Sequence, residues 1–307
     1  MKIGVREIEI FRVVMRAGGT SKAATMLGIS QPAVSQSIRK LEEGAGIQLF
    51  LRLRGRLVPT QEAQALIQDV DQLFIGFEFI EHRLKSLRQR GTDRLRVAAH
   101  PAMGISFLPR AIAAYQPDRH GMFISLRVLS SKEVYQQVSS GECDFGLMAD
   151  EMPVYGLEHS EFLYTPGLIV MSPNHPLAVK SIIEPKDIEN IDFLSLNPED
   201  SARRRLEAAL QAHGVQVTTR IETPYAHSLC EMALQGLGVA FVQPVAAYDF
   251  IDRGLVIRPF SLDVNFKSLL VFRPGNPLGR NAQLMLKTMR IQLEKDLRKL
   301  RGVVGAM

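Results

Sequence analysis

Cysteine is scarce. The 307-residue chain holds two, Cys143 and Cys230, both in semi-apolar surroundings. Two thiols do not make a zinc site on their own, and the expectation is a pair of reduced, packed side chains rather than a redox switch. The seven histidines show no ligand spacing, so neither a metal nor another cofactor is expected. No apolar run reaches 18 residues, which excludes a transmembrane helix. The N-terminus lacks the continuous apolar stretch of a secretory signal, and residues 5–17 read as an amphipathic helix instead. A cytoplasmic protein without a membrane partner is therefore expected. Enzymatic signatures are missing too: there is no Gly-x-Gly-x-x-Gly, no P-loop, no Gly-x-Ser-x-Gly and no His-Glu-x-x-His. Gly236 and Gly238 fall between a helical and a strand pattern and read as a cap and turn. The expectation is a protein that binds rather than catalyses.

What the chain does have is a helix-turn-helix pattern between Thr20 and Leu41. Thr20 and Ser21 open a short helix with Ala23, Ala24 and Leu27 on one face. Gly28 ends it, because glycine adopts the left-handed C-cap conformation without strain. Ser30 is a natural N-cap for the next helix, with Pro32 in its first turn. Val34, Ile38 and Leu41 recur at helical spacing and should face inward. Gln31, Ser35, Gln36 and Arg39 are then left outward, where such side chains can read base edges in a major groove. Helical hairpins with caps and an apolar face also occur without DNA binding, so the charge matters.

The charge is uneven. Residues 1–90 hold 14 Lys+Arg against 9 Asp+Glu, out of 37 against 32 in the whole chain, so residues 91–307 are neutral. A basic module on a neutral body is the footprint of a phosphate binder. Residues 49–60 alternate apolar and polar around Gly55, which predicts a β-hairpin. Arg52, Arg54 and Arg56 fall at a period of two and should share one face. A ribbon carrying three arginines beside a helix-turn-helix looks like a wing that contacts phosphates or enters a narrow minor groove.

The residues in order are an N-terminal helix, Ser30-Gln31-Pro32-Ala33-Val34-Ser35, Leu41-Glu42, Leu49-Phe50, Arg52, and Pro59-Thr60. This order resembles the LysR-type transcriptional regulators of bacteria, and the resemblance covers essentially the whole chain. Thr60-Gln61-Glu62-Ala63 departs from it, since most members have glycine at the fourth position. That form, with Ala98–Ala102, Ser130-Ser131 and Arg258–Ser261, is similar to the branch that regulates opine (octopine and nopaline) catabolism. The resemblance implies a winged helix-turn-helix DNA-binding domain over residues 1–60 and a dimerising linker helix and hinge over 61–91. It implies an α/β effector domain over 92–307, like periplasmic solute-binding proteins. Its first subdomain would take 92–163 and 266–301, its second 164–265. It also implies promoter DNA of dyad symmetry, a homodimer or homotetramer, a small-molecule effector and RNA polymerase as partners. Thr20, Ser21, Ser30 and the wing arginines would hold the backbone or minor groove while Gln31, Pro32, Ser35, Gln36 and Arg39 read a half-site.

Residues 60–90 read as one long helix. Ile67, Val70, Phe74, Phe77 and Leu84 follow a 3–4–3 spacing that suits a seam with another chain. Beyond residue 92, short apolar strands alternate with helices, which predicts parallel α/β sheets. Strands are expected at Leu95–Ala99, Ile124–Leu129, Asp144–Met148, Leu168–Met171, Asp192–Ser195, Ile221–Thr223, Gly238–Val242 and Leu269–Phe272, with a C-terminal helix from about Ala282 to Leu300.

Ligands of such folds sit at the C-terminal ends of strands and the N-termini of helices. That rule selects His100, Pro101, Ala102, Met103, Ser130, Ser131, Asp150, Asn197, Ser201, Tyr225, His227 and Gln243 as effector-binding candidates. Ser130, Ser131, Asn197 and Ser201 could equally cap helices, and Asp150 could be a solvated acid or hold a ligand ammonium. Arg203, Arg204 and Arg205 are consecutive on a helix, so at most one faces a cleft, and all three are left out. An amino-acid-like or opine-like carboxylate is the expected effector. The rivals are a regulator of this type sensing another metabolite, a solute-binding protein or enzyme with an ordinary helical hairpin, and a DNA-binding architectural protein with a non-sensing core.

Overall fold

Three helices build the N-terminal core: α1 (Val5–Ala17), α2 (Thr20–Leu27) and α3 (Gln31–Ala45). The computed structural model describes residues 4–53, 56–71, 73–74, 94–116, 121–275 and 278–304, with the side chains of residues 52, 53 and 56 left out. The chain divides into two compact units, residues 1–81 and 82–307.

In the first unit Gly28 ends α2 at φ 65° and donates its N–H to the Ala24 and Thr25 carbonyls, and the Ser30 hydroxyl accepts from the Ala33 N–H. Caps at both sides of a two-residue gap therefore fix the turn between α2 and α3. Val34, Ile38 and Leu41 are buried against Ile10, Phe11, Val14 and Ala23. Strands β1 (Phe50–Leu53) and β2 (Arg56–Pro59) pair antiparallel, with Leu53 opposite Arg56, so the hairpin turns on two residues. Arg54 and the side chains of Arg52 and Arg56 lie outside the described residues.

Residues 61–71 are helical (α4). Ala63 and Val70 are buried in the core of the unit, with Leu66, Ile67 and Phe74 packed against it. The Arg12 Nε donates to Asp71 at 2.6 Å, and its guanidinium lies 4.8 Å over the Phe74 ring. This corrects one expectation: Ile67, Val70 and Phe74 pack on their own domain, because α1 supplies the apolar surface that a second chain was expected to supply. Leu73 points outward and is exposed. Phe77, Leu84 and the hinge lie outside the described residues.

The second unit holds two five-stranded sheets. The first comprises β3 (Arg94–Ala99), β4 (Phe123–Val128), β5 (Phe145–Ala149), β6 (Glu158–Pro166) and β12 (Asn265–Phe272), in the order β4-β3-β5-β12-β6. The second comprises β7 (Leu168–Met171), β8 (Asp192–Ser195), β9 (Thr218–Glu222), β10 (Val239–Val242) and β11 (Val256–Pro259), in the order β11-β7-β10-β8-β9. The helices are α5 (Pro101–Gly104), α6 (Phe107–Tyr115), α7 (Ser131–Ser139), α8 (Ser201–Ala212), α9 (Ala226–Leu234), α10 (Pro244–Ala247) and α11 (Arg280–Val304).

The sheets are mixed rather than parallel. Strands joined through helices are parallel, as β3 is to β4 and β5 and as β8 is to β9 and β10. The strands at the crossings are not: β12 runs against β5 and β6, and β7 runs against β10 and β11. A single residue, Gly167, separates β6 from β7, so the chain passes directly from one sheet to the other without a helical crossover. The Gly167 N–H donates to the Val264 carbonyl at 2.9 Å, tying the outgoing crossing to the returning one. A Cβ at Gly167 would lie 2.0 Å from the Phe241 ring, so only glycine fits there.

The two lobes interlock. Ala102 of α5 packs into the second lobe's core and Val245 of α10 into the first. Helix α11 buries Met285, Met289 and Leu293 in the first core and Leu300 in the second. Cys143 and Cys230 are free, buried and in different clusters. Among the described residues no helix is long and apolar enough to cross a membrane.

Candidate functional site

The first unit presents the start of α3 to solvent. Ser21, Ser30, Pro32, Gln36 and Arg39 are exposed, while Thr20, Gln31 and Ser35 are half-buried. The Gln31 amide donates to the Thr20 hydroxyl at 3.1 Å and to the Ser35 hydroxyl at 2.8 Å, stapling α2 to the first turn of α3. Its position is thus set before any partner arrives. Lys40, one residue past Arg39, is bonded to Glu7 at 2.6 Å, and that hydrogen bond draws the Glu7 carboxyl below its ordinary value. Arg39 therefore stands beside a lysine already used within the fold.

In the second unit a cavity of about 560 Å³ opens between the lobes. That lies within the usual range for small-molecule sites, about 300–1,000 Å³. Ten of the twelve expected residues line it: His100, Pro101, Ala102, Ser130, Ser131, Asp150, Asn197, Ser201, Tyr225 and Gln243. They converge because each follows a strand and opens a helix or loop, and those strand ends from both lobes meet here.

Met103 and His227 do not line it. Met103 is the third residue of α5, fully buried in the first lobe's core. His227 is the second residue of α9, and the helical turn carries it away from Tyr225 and Ala226, which do line the cavity. Its Nε2 instead lies 3.0 Å from the Ser106 hydroxyl and 3.3 Å from Asp249. Both contacts fall on one nitrogen, and Nδ1 is buried without a partner among the described residues. A Ser-His-Asp relay needs both nitrogens, so this trio is not one.

Several side chains are already engaged. The Ser130 hydroxyl and N–H both donate to the Glu133 carboxylate, closing a capping box on α7. The Ser131 hydroxyl accepts from the Ala149 N–H at 3.1 Å. Asp150 is held by Arg205 at 2.9 and 3.3 Å and by the Ser201 hydroxyl, which ties the lobes across the cleft. Asp150 is thus an ion-pair partner rather than a solvated acid, and a ligand ammonium would have to share it with Arg205. His100 is buried with Nε2 at 3.0 Å from the Ser268 hydroxyl, and burial pushes its imidazole down to about 4.

Gln243 differs from these. It is 4% exposed and lines the cavity, yet its side-chain amide has no hydrogen-bond partner among the described residues. An amide buried in this way is a site for a ligand's polar group.

Sequence reasoning missed Glu151, Asp200, Arg205, Lys267 and Ser268, which also line the cavity. Of the three arginines, Arg203 turns to Glu207 and Glu222, Arg204 to the Pro198 and Glu199 carbonyls, and Arg205 to Asp150. The rule that at most one faces the cleft was right, and only the helix phase identifies which. Lys267 and Ser268 arrive on β12, the returning crossing, which no local pattern connects to the cleft.

A helix-turn-helix unit joined to a two-lobed α/β unit with a cleft defines a ligand-responsive DNA-binding regulator. Residues 5–64 match the bacterial regulatory helix-turn-helix protein model of the lysR family, and residues 88–294 match the LysR substrate binding domain. The chain belongs to the LysR family and is a DNA-binding transcriptional regulator with an effector-binding domain. The family is one of transcriptional regulators, not enzymes. It is 33% identical over 298 residues to the transcriptional activator protein LysR of Escherichia coli K12, covering 97% of this chain and 94% of that one. It is 32% identical over 277 residues to the regulatory protein NocR of Agrobacterium fabrum, covering 90% and 92%. It is 28% identical to the octopine catabolism/uptake operon regulatory protein OccR of Rhizobium meliloti, covering 86% and 87%. A Corynebacterium glutamicum OxyR mutant bound to hydrogen peroxide has the same fold, with TM-score 0.57 at 19% identity and coverage of 100% and 99%.

Proposed function

We propose that this regulator binds promoter DNA of dyad symmetry as a homodimer or homotetramer and is switched by an amino-acid-like or opine-like carboxylate held in the cleft. The observation that carries the reading is the buried, unpartnered Gln243 amide in a cavity of about 560 Å³ that both lobes line. The likeness to NocR and OccR supports the ligand class. Residues 1–60, 61–91 and 92–307 serve as DNA-binding domain, dimerising linker and effector domain. Within the last, residues 92–163 with 266–301 and residues 164–265 form the two subdomains. Gln31, Pro32, Ser35, Gln36 and Arg39 read the half-site. Thr20, Ser21, Ser30, Arg52, Arg54 and Arg56 hold phosphates or the minor groove. The cytoplasm is the place of action and RNA polymerase the downstream partner. The effector must bind two DNA-bound arrangements with unequal affinity, since equal affinity shifts nothing.

The test is a footprint of the full-length protein on the promoter region beside its gene, with and without amino acids, opines and other small carboxylates. A footprint with two related half-sites that changes with one of these ligands, and a response lost in Gln243→Ala with DNA binding retained, is expected. A footprint indifferent to every such ligand removes the effector reading.

A further inference from the structure

The cleft is unbalanced in charge. Glu133, Asp150, Glu151, Glu199 and Asp200 line it, against Arg205 and Lys267. Both cations are already spent. Arg205 is bound twice to Asp150, and Lys267 pairs at 3.4 Å with Glu161, which is not part of the wall. Glu133 is committed to its capping box on α7. Glu151 and Asp200 stand within electrostatic reach of Asp150, one from each lobe, with no cation of their own in the wall. Partial desolvation in the cleft, and then the charges of Asp200 and Asp150, hold the Glu151 carboxyl above its ordinary value. Burial, joined by Asp150, does the same for Asp200 against the pull of its cap hydrogen bonds. A concave wall with excess negative charge focuses its field on whatever enters.

The remaining polar groups differ in kind. Gln243 offers an unpartnered amide, and the nine-residue helix α9 opens onto the cavity at Tyr225 and Ala226 without a side-chain cap. An uncapped helix N-terminus beside a free amide suits a carboxylate. The site therefore has acceptors for positive charge on Glu151 and Asp200, and donors for negative charge near Gln243.

We infer that the effector carries a second basic group, an amine or a guanidine on its side chain, seated against Glu151 and Asp200 while its carboxylate meets Gln243 and the start of α9. This rests on the cleft being the effector site. Simple dicarboxylates and neutral amino acids are selected against: the former meet the excess carboxylates, and the latter leave them unpaired.

The experiment is calorimetric titration of the full-length protein, in physiological salt, with L-lysine, L-arginine and octopine, against L-norleucine and L-glutamate. Norleucine is lysine without the terminal amine. At least one basic compound is expected to bind about tenfold or more tightly than norleucine and glutamate, the ratio that a single charge-assisted contact supplies. Glu151→Gln and Asp200→Asn should each weaken that compound about tenfold, again by the loss of one such contact. Asparagine caps a helix as well as aspartate, so α8 is preserved in the second variant. The inference is overturned if norleucine or glutamate binds as tightly, if no basic compound binds, or if both variants bind the basic compound unchanged. Gln243→Ala separates the two levels of reading. Glutamate binding that is lost in Gln243→Ala would leave the cleft as the site and remove only the second basic group. Any binding indifferent to Gln243→Ala would remove both.

Discussion

At the residue scale, burial fixes the behaviour of His100. Its imidazole titrates near 6.5 in an unfolded chain and is pushed down to about 4 here by burial. Between those values the unfolded chain takes up a proton that the folded protein refuses. Stability from this residue is therefore lost as pH falls from about 6.5 toward 4, and is unaffected above. Glu151 and Asp200, held upward, act with the opposite sign, so the wild-type profile alone is a mixture. The difference isolates the histidine: His100→Asn should lose less melting temperature than wild type between pH 7 and 4.5. Parallel profiles of the two proteins would contradict the assignment. His100 was legible as a cleft residue because it directly follows a strand. Met103 and His227 were misplaced because one step along a helix turns a side chain by about 100°, and a loop rule does not resolve that.

At the element scale, α3 shows how local signals agree. A hydroxyl cap at Ser30, Pro32 in the first turn and three apolar residues at helical spacing specify one helix with one buried face. Arg39 is exposed on the other face. If it reads a base, Arg39→Ala should relax specificity at one or two base pairs and cost about 1–3 kcal/mol of binding. Competition binding against single-base operator variants measures this, and a uniform loss across all of them would reassign Arg39 to the phosphate backbone. The strands were legible as elements but not as pairings. Strand–helix alternation suggested parallel sheets, and it holds where helices make the connection. It fails at β7 and β12, where the chain crosses between lobes without a helix and runs back antiparallel. The nine-residue β6 went unseen because its first four residues are exposed and polar, which leaves no apolar run to recognise.

At the scale of the effector-binding unit, two polar ties join the lobes. One is Asp150 with Ser201 and Arg205 across the cleft. The other lies behind it. Arg110 of α6 donates to the fully buried Asp296 of α11 at 2.9 Å and to Asp249, and its guanidinium lies 4.3 Å over the Tyr248 ring. Burial pushes the Asp249 carboxyl up, but hydrogen bonds from His227 and Ser106 and the Arg110 charge together hold it below its ordinary range. Arg110→Met would leave Asp296 with Gln292 as its remaining side-chain partner. An uncompensated buried carboxylate costs about 3–5 kcal/mol. Urea unfolding of the variant should show a loss of that order, whereas a loss under 1 kcal/mol would mean that water or a shifted partner replaces the arginine.

The sequence by itself determined what is local. The helix-turn-helix, its caps, the basic first 90 residues, most strands and ten residues of the cleft follow from spacing, turn chemistry and charge, each fixed within a few neighbouring positions. Tertiary structure alone decided what depends on distant partners. It turned Ile67, Val70 and Phe74 onto their own domain, chose Arg205 from three adjacent arginines, and brought β12 with Lys267 and Ser268 into the cleft. It also left Glu151 and Asp200 without cations, because charge balance inside a cavity is set by which chain segments meet there, and their order in the sequence does not encode it.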